Sequence, residues 1–176
     1  FAAVFEDVIR KMQRDSIHWR AQKEWDYTYA DYYIHTGDFE QAIPYLRKVI
    51  KHEMRRKQKA REWFLLGQLL AATGKKQEAY KAFKHVTRLN PPYELEFNAR
   101  ISMTEVMARG NAKQMISRLK RMAASDNNKE YLDQIYYAIG NIYLNEKDTV
   151  QAISAFEKGN AKATRSGIEK GVLLLH

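Results

Sequence analysis

Ala42, Ala79, Met115 and Ala152 mark the same point of a helix-turn-helix pattern that returns at intervals of 37, 36 and 37 residues. A period of about 20 to 50 residues is the mark of stacked units, none of which can bury its apolar face alone. A chain of 176 residues has room for four to five such helix pairs. The expected fold class is all-α, a solenoid of antiparallel helix pairs rather than one globular core. Such an array offers surface for binding, which disfavours an enzyme before any residue is asked for chemistry.

The clearest unit runs from Ala60 to Pro92. Trp63, Leu66, Gly67 and Leu70 recur at helical spacing on a first helix, and Ala79, Phe83 and Val86 on a second. Thr73 and Gly74 break the first helix, while Asn90, Pro91 and Pro92 stop the second. Gly67 and Ala79 are small where two helices would approach closely, with Trp63 and Phe83 to fill the adjoining space. This pattern resembles the tetratricopeptide repeat. The resemblance implies a right-handed superhelix of antiparallel helix pairs with a concave groove.

The same frame finds Tyr29, Ala30, Tyr33, Gly37, Phe39, Ala42, Leu46 and Ile50 in a first unit. In a fourth it finds Tyr136, Ile139, Gly140, Tyr143, Ala152 and Phe156. The third is degenerate, with Ala99, Met103, Val106, Gly110, Met115, Leu119 and Met122. Methionine stands there where the other units are small, so its helix pair is expected to pack at a shifted angle or distance. Asp38 with Gln41, Asn111 with Gln114, and Asp148 with Gln151 have capping-box spacing at the start of each second helix; Lys75 and Glu78 keep only the acidic partner. Pro44 falls inside a second helix and is expected to bend it.

The frame divides the chain into the end of a preceding repeat (1–22), repeats over 23–59 and 60–92, a degenerate repeat over 93–130, a repeat over 131–166 and the start of another over 167–176. Val4, Phe5, Val8 and Ile9 would belong to the second helix of the preceding unit, and Gly167 to His176 to a first helix without its partner. The expectation is a piece of a longer array with apolar edges at both ends, open to end-to-end contacts.

Composition narrows the chemistry. The chain has no cysteine, which excludes disulfides, thiolate catalysis and cysteine-based metal sites. Its histidines, His18, His35, His52, His85 and His176, lack metal-ligand spacing. Thr73-Gly74-Lys75-Lys76 lacks the glycine-rich stretch of a phosphate loop and reads as a helix turn. Glu6 and Asp7 are adjacent and would point apart on a helix. No catalytic, cofactor-binding or metal-binding constellation is expected, and no cofactor. No apolar run approaches the roughly 20 residues of a membrane span.

The net charge of +9 is unevenly placed. Arg47, Lys48, Lys51, Arg55, Arg56, Lys57, Lys59 and Arg61 crowd one stretch that holds a single acid, Glu53; Arg118, Lys120 and Arg121 form a smaller cluster. The first stretch reads as solvated helix ends, as a docking patch for an acidic protein, or as a contact for nucleic acid or lipid.

In repeats of the resembled family the groove is lined by fixed positions of each first helix. Carried onto this chain, they give Glu24, Tyr27, Asp31, Ile34 and His35; Arg61, Phe64, Gln68, Ala71 and Ala72; Phe97, Arg100, Thr104, Met107 and Ala108; and Gln134, Tyr137, Asn141, Leu144 and Asn145. Tyr27, Phe64 and Tyr137 share one row with Arg100. They suit a peptide or partner helix as rigid anchors, or else pack against the neighbouring helix. The carboxylate clamp of chaperone-binding members would need lysine and asparagine where this chain has Tyr27 and Asp31, or Phe64 and Gln68, so a chaperone-tail receptor is disfavoured.

Asn90 to Ala108, Tyr131 to Tyr143 and Ala163 to Leu175 further resemble the repeat-containing outer-membrane lipoproteins of Bacteroidota associated with type IX secretion and gliding motility. That resemblance implies a lipid anchor outside this segment, a periplasmic location and partners among secretion-machinery subunits. The leading expectation is a non-enzymatic protein-binding scaffold that uses groove or basic loop. A nucleic-acid-associated repeat protein and a cytoplasmic peptide-binding adaptor are the alternatives. Against nucleic acid, the groove carries Glu24 and Asp31 and no regular base-reading code.

Overall fold

The computed structural model describes residues 22–162. Its elements are α1 (Gln22–His35), α2 (Phe39–His52), α3 (Arg56–Ala72), α4 (Lys76–Arg88), α5 (Tyr93–Met107), α6 (Ala112–Ala123), a 3-10 segment (Asp126–Tyr131), α7 (Leu132–Asn145) and α8 (Thr149–Lys162). No strand occurs among the described residues. The helices pair as α1/α2, α3/α4, α5/α6 and α7/α8, each packs on the next in the chain, and α3, α5 and α7 also touch in succession. This is an antiparallel helix-pair solenoid. The readings at the two ends of the chain, 1–22 and 167–176, lie almost wholly or wholly outside the described residues.

The turns explain the regularity. Gly37, Gly74 and Gly110 sit at equivalent points with φ of 78°, 77° and 81°, the left-handed conformation that closes a helix at little cost only for glycine. The fourth turn puts Lys147 there, at φ 61°. Caps follow the expectation only in part. The Asp38 and Asp148 carboxylates accept the backbone N–H of Gln41 and Gln151 at 3.3 and 3.1 Å. Asn111 makes no such bond: its backbone, at φ −134° and ψ 23°, lies away from the extended geometry that aims a cap side chain at the first turn. α2 continues through Pro44.

Packing separates the units into two kinds. Phe83 lies against Gly67 so closely that a Cβ on that glycine would stand 2.5 Å from the ring. Phe156 lies on Gly140 in the same way, closer still. A missing side chain on one helix thus seats an aromatic ring from the other. Trp63 packs at the edge of that core and stacks on His85, with ring centres 4.4 Å apart. Unit one solves the same crossing with Ala30 and Leu46, both buried, beside a stack of Tyr29, Tyr33 and Tyr45.

Unit three has Met103 and Leu119 at the equivalent positions, and α5 and α6 touch less than the two helices of any other unit. α5 becomes a wedge between two cores. Ala99 joins the apolar cluster of units one and two, with Met103 and Val106 packed on it. Phe97 and Ala108 join the cluster of units three and four, with Ile101 and Met107 beside them. The expected shift in packing is therefore a loosening within the unit, while α5 keeps a broad contact with α4.

Candidate functional site

The aromatic row divides once side chains are placed. Tyr27 is 52% exposed. Phe64 and Tyr137 instead pack on the second helix of their own units, against Phe83 at 5.4 Å and Phe156 at 5.8 Å between ring centres. Both are half-buried and complete the glycine–phenylalanine crossing. Arg100, in the same row, is held by Glu96, with its guanidinium donating at 2.6 and 3.0 Å. Thr104 is buried, and its hydroxyl donates to the Ile101 carbonyl at 2.6 Å, so its polar group is already used. Asp31, His35 and Gln68 are exposed and Asn141 half-buried; His35 Nδ1 lies 2.9 Å from the Asp31 carbonyl and 3.5 Å from its carboxylate.

Four of these residues, Tyr27, Asn141, Arg100 and Thr104, fall in three separate hollows. One of about 270 Å³ between α1 and α3 takes in Tyr27, Glu24, Glu53 and Glu62. Another, of about 290 Å³, lies between α5 and α7 at Glu105, Asn141 and Leu144. A third, of about 630 Å³, opens in unit three and includes Arg100 and Thr104.

The basic run is partly neutralised from within. Arg47 pairs with Glu78 at 2.6 Å, Lys48 stands 3.9 Å from buried Asp26, and the Arg55 guanidinium reaches Glu53 at 3.4 Å. Lys59 donates to the Glu53 carbonyl at 3.2 Å. Lys51, Arg56, Lys57 and Arg61 are exposed, with no ion pair among the described residues, and Met54 stands 89% exposed beside them.

Glu53 is the residue that sequence reasoning passed over. It ends α2, is buried, and accepts from the Lys23 ammonium, from the Arg55 backbone N–H at 2.8 Å and from the Arg55 side chain. Burial pushes its carboxyl up, but these donors outweigh burial and hold it at about 2. Glu62 goes the other way: burial and the nearby Glu53 charge push it up. A lone acid in a basic run was the available signal. Lys23, its main partner, is 30 residues away in sequence, and nothing local announces that pairing.

The described residues contain no group of three or more His, Cys, Asp or Glu able to hold a metal ion, and no helix long and apolar enough to cross a membrane. The Thr73 hydroxyl donates to the Leu69 carbonyl at 3.0 Å, as expected of a helix end rather than a phosphate loop.

Models of the tetratricopeptide repeat match residues 60–93, and residues 27–51 and 133–160. Three units of this chain are tetratricopeptide repeats. The third unit, with its methionines, lies outside those matches. Among solved structures, a fragment of MamA from Desulfovibrio magneticus RS-1 aligns with TM-score 0.58 at 20% identity, over 88% of this chain and 84% of that one. A second MamA structure gives 0.56 at 22%, over 81% and 73%. YrrB, described as a TPR protein with an unusual peptide-binding site, gives 0.55 at 14%, over 86% and 73%. At such identities the likeness establishes the fold. No curated protein matches the sequence significantly. The tetratricopeptide-repeat fold carries no cluster of metal-ligating side chains among its described residues.

Proposed function

We propose that this protein is a scaffold that receives other proteins on its repeat surface. The carrying observation is the division of its side chains. Phe64, Tyr137 and Thr104 are consumed by packing or internal bonds, whereas Tyr27 and the cations Lys51, Arg56, Lys57 and Arg61 are left facing solvent. Free aromatic and guanidinium groups on a rigid frame are favoured anchors for a protein partner.

The finer reading places it in the cell envelope, held at the periplasmic face of an outer membrane by a lipid anchor outside this segment and serving a type IX secretion or gliding machinery. Its support is the resemblance carried by Asn90 to Ala108, Tyr131 to Tyr143 and Ala163 to Leu175. Cross-linking and pull-down from the native cell test both levels. The expected result is recovery of envelope proteins by the wild-type chain, with a marked loss for Arg56→Glu/Lys57→Glu or for Tyr27→Ala. Equal recovery from all three would overturn the surface assignment, and recovery of cytoplasmic proteins alone would overturn the location.

The +9 charge favours nucleic acid as the second reading. Steeply salt-dependent binding of generic RNA or DNA at near-physiological ionic strength would support it.

A further inference from the structure

The cleft of about 630 Å³ in unit three is where the repeat departs most from its own pattern. Its floor is apolar, formed by Phe97, Met103 and Met122. One end is fixed: the Tyr93 hydroxyl donates to the Asn128 side-chain oxygen, and the Asn128 amide donates to the Met122 carbonyl at 2.8 Å. The hollow is thus a built feature of the joint between α5, α6 and the 3-10 segment.

Its charge is one-sided. Arg100, Arg118 and Arg121 line the cleft against one acid, Glu96, which is already engaged by Arg100. Arg118 and Arg121, three apart on α6, share one helix face, and both are exposed without an ion-pair or hydrogen-bond partner among the described residues. Two free guanidinium forks above an apolar floor match a carboxylate beside an apolar side chain, because guanidinium binds carboxylate in a planar, bidentate manner. The size is that of pockets which hold a few side chains, and methionine walls adapt to the one that enters.

We propose that this cleft binds an acidic peptide segment of a protein partner, with side-chain carboxylates on Arg118 and Arg121 and an adjacent aromatic or aliphatic side chain on the Phe97, Met103 and Met122 floor. The proposal rests on the protein-binding reading above and gives it a second site with a stated partner chemistry. The site overlaps the first-helix row at Phe97, Arg100 and Thr104, and extends it with two free cations from the second helix of the unit.

The test is selection of random dodecapeptides displayed on phage against the whole chain, with counterselection on the Arg118→Glu/Arg121→Glu variant. Both substitutions are at exposed positions, and circular dichroism checks that the fold is kept. Enrichment of peptides with Asp or Glu next to Phe, Tyr or Leu is expected. The selected peptide, synthesised with an amidated C-terminus, should lose affinity on the order of tenfold or more to the double variant. Lys158→Glu/Lys162→Glu, at exposed positions of α8 away from the cleft, should leave it within about twofold.

No enrichment, a selected motif without acids, or equal binding to both proteins would overturn the proposal. A requirement for the free terminal carboxylate, or tighter binding of oligothymidine than of the peptide, would overturn it as well. Selected peptides that bind but are lost on Tyr27→Ala would remove the cleft and keep the scaffold. Native pull-down without any partner would remove the scaffold itself.

Discussion

Units two and three show what one helix crossing can do. In unit two, Gly67 leaves the space that Phe83 occupies, and the pair closes. In unit three, Met103 and Leu119 hold the equivalent positions but pack into different apolar clusters, the helices touch less, and a cleft lined by arginines opens. The exchange puts more side-chain volume into the crossing, and the outcomes differ. A flat ring seated on bare backbone lets two helix axes come close, whereas two branched or flexible chains hold them apart. One unit is a structural spacer and the other a potential site, distinguished by two residues.

The sharpest way to break this comparison is to remove the second-helix partner from each crossing. Phe83→Ala should cost about 3–5 kcal/mol, because the ring is buried and its seat cannot collapse. Leu119→Ala should fall toward the lower end of the usual range of about 2–5 kcal/mol, since the looser pair can relax into the gap. Equal losses in urea titration would mean that the two crossings are packed alike.

The junction between units one and two depends on charge instead. Glu53→Gln should cost about 1.5–3 kcal/mol by weakening the charge-assisted bonds from Lys23 and Arg55. The sign of the pH effect follows from the lowered carboxyl. Its stabilisation is complete above the ordinary value of 4.5 and is lost as pH falls toward about 2. Thermal melts across that window should flatten for Glu53→Gln, and a slope unchanged from wild type would reject the role given to Glu53.

A smaller effect should come from Gly67→Ala. Helix propensity alone favours alanine by about 1 kcal/mol, but the new Cβ would meet the Phe83 ring at 2.5 Å. Overpacking should win, leaving a net loss on the order of 1–2 kcal/mol. A stabilised variant would show that the ring is free to move. Smallest of all, Lys147→Gly should gain about 0.5–1 kcal/mol by relieving a left-handed lysine at the turn where the other units have glycine. A lowered melting temperature would count against that turn geometry.

The solenoid was legible because its signals are local. Gly37, Gly74 and Gly110 punctuate the turns, and Asp38 and Asp148 cap the following helices, all within a few residues of where they act. The degeneracy of unit three was legible for the same reason, as methionines in a frame of small residues. The surface was much less so. Whether Tyr27 stands free while Phe64 and Tyr137 do not depends on Leu46, Phe83 and Phe156 of the second helices, a long-range choice of volume. The basic run looked uniform in sequence, but Glu78 and Asp26 reach it from other helices, Glu53 engages Arg55 and Lys59, and four of its eight cations are left without a partner among the described residues. Of the cleft, only separate parts were legible, the methionines and the Arg118 and Arg121 cluster, because its walls combine α4, α5, α6 and the 3-10 segment.

Native-state hydrogen exchange, read amide by amide, tests most directly whether unit three is the open joint of the array. Amides of α6 should exchange through an opening of lower free energy than those of α4, with the difference shrinking in the Met103→Gly/Leu119→Phe variant that installs the closed crossing. Equal protection of α6 and α4 in the wild-type chain, lost together in one global unfolding, would contradict the division of the repeats into closed spacers and an open site.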